Sequence, residues 1–141
     1  MVLHVEDDDA AAYLFRVALE DANITAVVYR VSDGEQALAF LRNLDPYRSA
    51  PRPQLAVIDL NLPRIDGWSV LEEVQKDPPV PAFVVTTSTR HADRVKAFSL
   101  GARAYVTKSS SFDQFVQEIK LAFAQKLPEW LHDEIKPITK R

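Results

Sequence analysis

Five short apolar runs recur along this chain, each stopped by polar residues and followed by a segment with helical spacing. The runs are VLHV (2–5), TAVVYRV (25–31), LAVID (55–59), AFVVT (82–86) and ARAYVT (102–107). AFVVT is apolar up to its last position, as expected of a strand covered on both faces. The intervening segments AAAYLFRVALEDA (10–22), SDGEQALAFLRNL (32–44), GWSVLEEVQK (67–76), HADRVKAFSL (91–100) and SFDQFVQEIKLAFAQ (111–125) read as helices. Leu14, Val17, Ala18 and Leu19 mark an inner face on the first, and Ala37, Leu38, Leu41 and Leu44 on the second. Phe112, Phe115, Val116, Ile119 and Phe123 form the apolar side of the fifth. Ser32 with Glu35 three residues later reads as a capping box, and Gly101 as the stop of the fourth helix. Strand–helix alternation repeated five times predicts an α/β domain, a mostly parallel sheet with helices on both faces.

Composition narrows the function classes. The chain has 141 residues, 47% of them hydrophobic and 26% charged, with a formal net charge of -3. A sequence pI near 5.6 argues against a nucleic-acid binder, which would carry a basic stripe. No apolar run is long enough to cross a bilayer and no signal segment opens the chain, so a soluble cytoplasmic domain is expected. The start, one residue before the first strand, reads as trimmed. With no cysteine and three scattered histidines, disulfides, thiolate nucleophiles and zinc-type sites have no residues to use. Three glycines allow neither a P-loop nor a GxGxxG cradle. No linker separates a second domain, so residues 1–125 read as one domain and 126–141 as a C-terminal extension. In that extension Leu127, Trp130, Leu131, Ile135 and Ile138 recur at roughly helical spacing. They either pack back on the domain or form a stripe for a partner or a second copy.

Ligands of open α/β sheets sit beyond the carboxyl ends of the strands, where strand order reverses. The first run ends in Glu6, Asp7 and Asp8, and the third in Asp59 with Asn61 two residues on. The fourth ends in Thr86, Thr87 and Ser88, and the fifth is followed by Lys108. In a flavodoxin-like doubly wound (βα)5 sheet of order 2-1-3-4-5 the first and third strands are neighbours, and their carboxylates share one crevice. Like charges that close repel, and a hard divalent cation with oxygen ligands is the simplest compensation; Mg²⁺ fits best. A carboxylate can also act as a nucleophile toward a phosphoryl group, whose oxygens then need cations and hydroxyl donors around them. Singly, each residue has an ordinary explanation. An acidic run caps a helix, Asp66-Gly67 makes a turn, Tyr105 packs, and a lysine is solvated. The specific feature is their joint placement at one sheet edge.

With VEDD (5–8), VIDLNLPRIDGW (57–68), VVTTS (84–88) and GARAYVTK (101–108) in this order and spacing, residues 1–125 resemble the receiver domain of two-component response regulators. The resemblance implies a (βα)5 domain that accepts a phosphoryl group from a histidine kinase on Asp59. It further implies that Asp7 ligates Mg²⁺ directly, Glu6 through water and Asn61 through its backbone carbonyl. Thr86 would be the switch hydroxyl, Lys108 the cation that pairs with phosphate, and Tyr105 the aromatic whose rotamer follows Thr86. YRSAPRPQLAVIDLNLPRIDG (47–67), VVTTS and the tryptophan-containing tail are similar to the stand-alone regulators associated with phytochrome-type histidine kinases. That group implies no output domain, a phytochrome-linked kinase partner, and a homodimer through the fourth and fifth helical regions and the tail. Ser109 departs from the family, which commonly has a cis proline after the lysine; a cis non-proline bond costs about 2.5–4 kcal/mol. Two rival readings stay open. One is a pseudo-receiver that only binds or dimerises. The other is a Mg²⁺-dependent phosphatase with an aspartate nucleophile, though such enzymes usually place a D-x-D motif after the first strand and add a cap domain.

Overall fold

The computed structural model describes residues 1–108, 111–132 and 135. Strands β1 (Val2–Val5), β2 (Val28–Val31), β3 (Leu55–Ile58), β4 (Ala82–Thr86) and β5 (Ala104–Thr107) alternate with helices α1 (Asp9–Asp21), α2 (Gly34–Leu41), α3 (Gly67–Val74), α4 (His91–Ser99) and α5 (Phe112–Gln125). The strands form one parallel sheet in the order β2-β1-β3-β4-β5, as the alternation predicts. Strand order therefore reverses between β1 and β3, which leaves a crevice at their carboxyl ends.

Period-two alternation along the strands divides the interior into two cores. Val2, Leu55, Val57, Phe83, Val85, Ala104 and Val106 face α1 and α5, joining Phe15, Ile119 and Phe123. Leu3, Val5, Ala56, Ile58, Ala82, Val84 and Tyr105 face α2, α3 and α4. Phe83 and Phe123 meet edge to face at 5.3 Å, and each such buried side chain stabilises by about 1.5–3 kcal/mol. One residue beyond β1, β3 and β5, the same alternation turns Glu6, Asp59 and Lys108 toward the α1/α5 side. Thr86 and Tyr105 fall on the other side.

Four helices start on side-chain caps: Asp8 accepts from the Ala11 N–H, Asp33 from Gln36, Asp66 from Ser69 and Ser111 from Gln114. The cap of α2 is thus one residue later than the Ser32–Glu35 box. Asp33 presents a charged acceptor to the orphan N–H groups, and the Gln36 side chain accepts from the Ser32 N–H at 2.9 Å. Glu35 is left free to pair with Arg64 at 3.0 Å. The inner face of α1 is also rotated from expectation. Ala12, Phe15, Ala18 and Leu19 are buried, while Leu14 is 45% exposed; the large Phe15 ring sets the phase. Leu44 lies beyond α2 and is exposed.

After α5 the chain folds back on itself. A 3-10 turn (Glu129–Leu131) follows, and Leu127, Leu131 and Ile135 are buried in the α1/α5 core. Trp130 alone of the described stripe points outward, 61% exposed. Ile138 and Ser109 lie outside the described residues. Truncating a fully buried leucine typically costs about 2–5 kcal/mol. Leu131→Ala is expected to lower unfolding stability by that amount, with urea denaturation followed through Trp130 fluorescence as the check.

Candidate functional site

The backbone holds three polar residues rigidly at the sheet edge. The Glu6 N–H donates to Val31 O at 3.0 Å, Asp59 N–H to Val5 O at 3.1 Å and Lys108 N–H to Thr86 O at 2.7 Å. Each is the last hydrogen bond of a parallel ladder, so the side chains project from fixed points. The Lys108 ammonium sits 2.6 Å from Glu6 Oε1 and 2.8 Å from Asp59 Oδ2. Asp59 Oδ1 accepts from the Asn61 N–H at 3.1 Å, and Glu6 Oε2 from the Asp8 N–H at 3.3 Å. The backbone of Asp59 also abuts the first turn of α3. A Cβ on Gly67 would lie 2.1 Å from the Asp59 carbonyl oxygen, so only glycine permits this approach.

Burial governs the charges. It pushes the Glu6 carboxyl up to about 7, against the pull of Lys108. It also disfavours the Lys108 ammonium, but hydrogen bonds to Asp59 and Glu6 outweigh this and the net direction is upward. Burial, then the nearby Lys108 and Arg30 charges, pull His4 down to about 3, so it is a neutral imidazole. Carboxylate oxygens of Glu6, Asp7 and Asp59 lie within 4.8 Å of one another, two of these residues buried and Asp7 exposed. Three carboxylates against one ammonium, all oxygen donors, suit a hard divalent cation.

Thr86 and Tyr105 are gathered around a different residue. Thr86 is buried, and its Oγ1 accepts from the Ser88 N–H at 3.4 Å. The Tyr105 hydroxyl donates to Ser88 O at 2.9 Å, and Ser88 Oγ donates to Asp93 of α4 at 2.6 Å. The Arg94 guanidinium lies over the Tyr105 ring at 5.6 Å and over Phe98 at 5.4 Å. Glu6, Asp7, Asp59 and Lys108 are therefore one cluster, with Asn61 attached through its N–H. Thr86 and Tyr105 form a second group that grips the β4–α4 loop. Asp8 and Asp66 are helix caps. Sequence reasoning did not find Ser88 and Asp93 as partners, Arg94 against Tyr105, or the contact of Gly67 with Asp59. A serine five residues before an aspartate at a helix start is the one local signal for the first; the others arise only from tertiary packing.

The family model of the response regulator receiver domain matches residues 2–120. The chain belongs to this family. Among its relatives, response regulator Rcp1 of Synechocystis sp. is 33% identical over 123 residues, 85% of this receiver and 84% of Rcp1. The crystal structure of the phosphorylated cyanobacterial phytochrome response regulator RcpA superposes with a TM-score of 0.77. It is 36% identical, covering 86% of this receiver and 91% of RcpA. The Mn²⁺-bound form of Rcp1 gives a TM-score of 0.79 at 32% identity, covering 91% and 94% of the two chains. Among the described residues, no helix of this receiver is long and apolar enough to cross a membrane.

Burial raises Glu6 to about 7, and a protonated carboxyl neither attracts a cation nor accepts from a water bound to it. Mn²⁺ affinity, read by calorimetry, is expected to rise as pH climbs toward 7, by up to about tenfold per pH unit, and to level off above. Glu6→Gln should flatten that dependence.

Proposed function

We propose that this receiver is a single-domain response regulator, a switch set by phosphorylation of Asp59 from a sensor histidine kinase, with the phytochrome-linked kinases as the favoured class. The observation that carries the reading is the Asp59 carboxylate. It is buried, fixed by the Asn61 N–H, paired with Lys108 at 2.8 Å and within one acidic trio. An Asp59 oxygen attacks phosphorus; the P–N bond to the kinase imidazole breaks as the P–O bond forms. Mg²⁺ held by Asp7, Asp59, the Asn61 carbonyl and, through water, Glu6 would supply charge neutralisation for the transferring phosphoryl group. Lys108 turns from the Asp59 carboxylate to a phosphoryl oxygen. Thr86 gives its hydroxyl to another, and in moving it alters the Ser88 grip shared with Tyr105.

The displacement passes to α4 through Asp93 and Arg94 as a shift between two pre-existing arrangements. Water then hydrolyses the acyl phosphate slowly, so the chain is a signalling protein and not a conventional enzyme. Self-association through the α4, α5 and tail region belongs to the same reading, supported by exposed Val95, Phe98, Leu121 and Trp130.

Acetyl phosphate or beryllofluoride with Mg²⁺ tests the switch. One base-labile phosphoryl group is expected on the wild type and none on Asp59→Asn. Trp68 fluorescence should change on phosphorylation, since this ring carries the Lys96 ammonium of α4 at 4.3 Å. Lys108→Met should slow labelling by about a hundredfold, the scale of losing one charge-stabilising donor. A wild type with neither label nor fluorescence change overturns the switch; retained self-association in that sample supports a pure binding module instead.

A further inference from the structure

On the α1/α5 face, directly under the carboxylate–lysine cluster, lies a cavity of about 60 Å³ whose walls include His4, Glu6, Phe15, Val85, Lys108 and Phe115. His4 is one of its polar walls, 2% exposed and stacked on Phe15 at 4.3 Å between ring centroids. Among the described residues the ring's close contact is this stack on Phe15, and its remaining edge borders the cavity. A neutral imidazole carries one donor and one acceptor, and buried polar groups almost always find a partner in protein or water. Lys108 has a similar surplus. Its ammonium has three N–H donors, and the described partners are Glu6 at 2.6 Å and Asp59 at 2.8 Å. A single water needs about 10–15 Å³ and two to four polar contacts. The cavity, open on the side of Leu14, meets both requirements.

We infer that this cavity is a built water site, where one or two ordered waters bridge the His4 ring to the Lys108 ammonium and the Glu6 carboxylate. His4 is thereby a positioning residue for Lys108. The functional half of this inference rests on Asp59 being the phosphoacceptor. Once Asp59 is an acyl phosphate, its oxygen no longer carries the charge that holds Lys108, and the ammonium moves toward the phosphoryl oxygens. A water anchored from below by His4 keeps one N–H of Lys108 bonded through that movement and holds the ammonium at the sheet edge.

The test pairs a crystal structure at about 1.5 Å resolution, where ordered waters are resolved, with acetyl phosphate labelling of wild type, His4→Phe and His4→Gln. Water density touching both His4 and Lys108 is expected. His4→Phe should label about tenfold more slowly, the lower end for loss of an outer hydrogen-bond partner, while His4→Gln keeps most of the rate by replacing donor and acceptor. His4→Leu replaces the phenylalanine variant if urea denaturation shows that protein unfolded. A dry cavity, an apolar variant that labels at the wild-type rate, or a glutamine variant as slow as the apolar one overturns the inference. These outcomes leave the phosphoacceptor reading intact, because the wild type still labels on Asp59. A wild type that takes no label removes both the phosphoacceptor and the positioning role, whatever the cavity holds.

Discussion

Two buried carboxylates on neighbouring strands repel unless a cation lies between them, and Lys108 is the cation placed there in this receiver. It comes from β5, at the sheet edge, and reaches past β4 to Asp59 after β3 and Glu6 after β1. Only a long, flexible side chain ending in a compact charge spans two strand positions and still satisfies two acceptors. The cluster is consequently a balance that responds to any change of charge at Asp59. Removing that carboxylate's charge frees the ammonium, and adding a doubly charged group in its place attracts it elsewhere.

The sheet converts this chemistry into geometry by its pleat. Side chains along the strands and one step past their ends alternate between faces, so the carboxylate–lysine cluster lies toward α1 and α5 while Thr86 and Tyr105 belong to the opposite side. The two groups are joined through β4 and the β4–α4 loop. Ser88 receives Tyr105, gives its N–H to Thr86 and gives its hydroxyl to Asp93. Ser88 thus connects the carboxyl end of the sheet with α4, a short chain of polar contacts flanked by packed apolar side chains.

Much of this was legible in the residues. Strand–helix alternation repeated five times demanded a mostly parallel sheet, and the apolar AFVVT run a strand covered on both faces. Glu6, Asp7, Asp59 and Lys108 could be assigned to one crevice because strand ends in such sheets converge. Less accessible were features decided by competition between neighbours. Ser32 and Asp33 both offer a cap to α2, and the stronger acceptor takes it. Leu14 and Phe15 both suit the inner face of α1, and the larger ring decides. Gly67 looked like turn chemistry beside Asp66, yet its lack of a Cβ is what lets α3 begin against the Asp59 carbonyl. That contact spans eight residues of loop and has no periodic signature.

The fold-back after α5 has a mechanical consequence. Because Leu127, Leu131 and Ile135 fill the same core as Phe15 and Phe123, the segment that carries them is wedged against the domain. Trp130 stands on that wedge with its ring outward. Any tilt or slide of α5 is therefore carried, with little slack, to an aromatic surface at the amino-terminal end of the sheet, where Pro79, Pro81 and Pro128 border the same cleft. The described residues thus form two ends of opposite character, one polar with the carboxylate–lysine cluster, the other apolar with Trp130 and the three prolines.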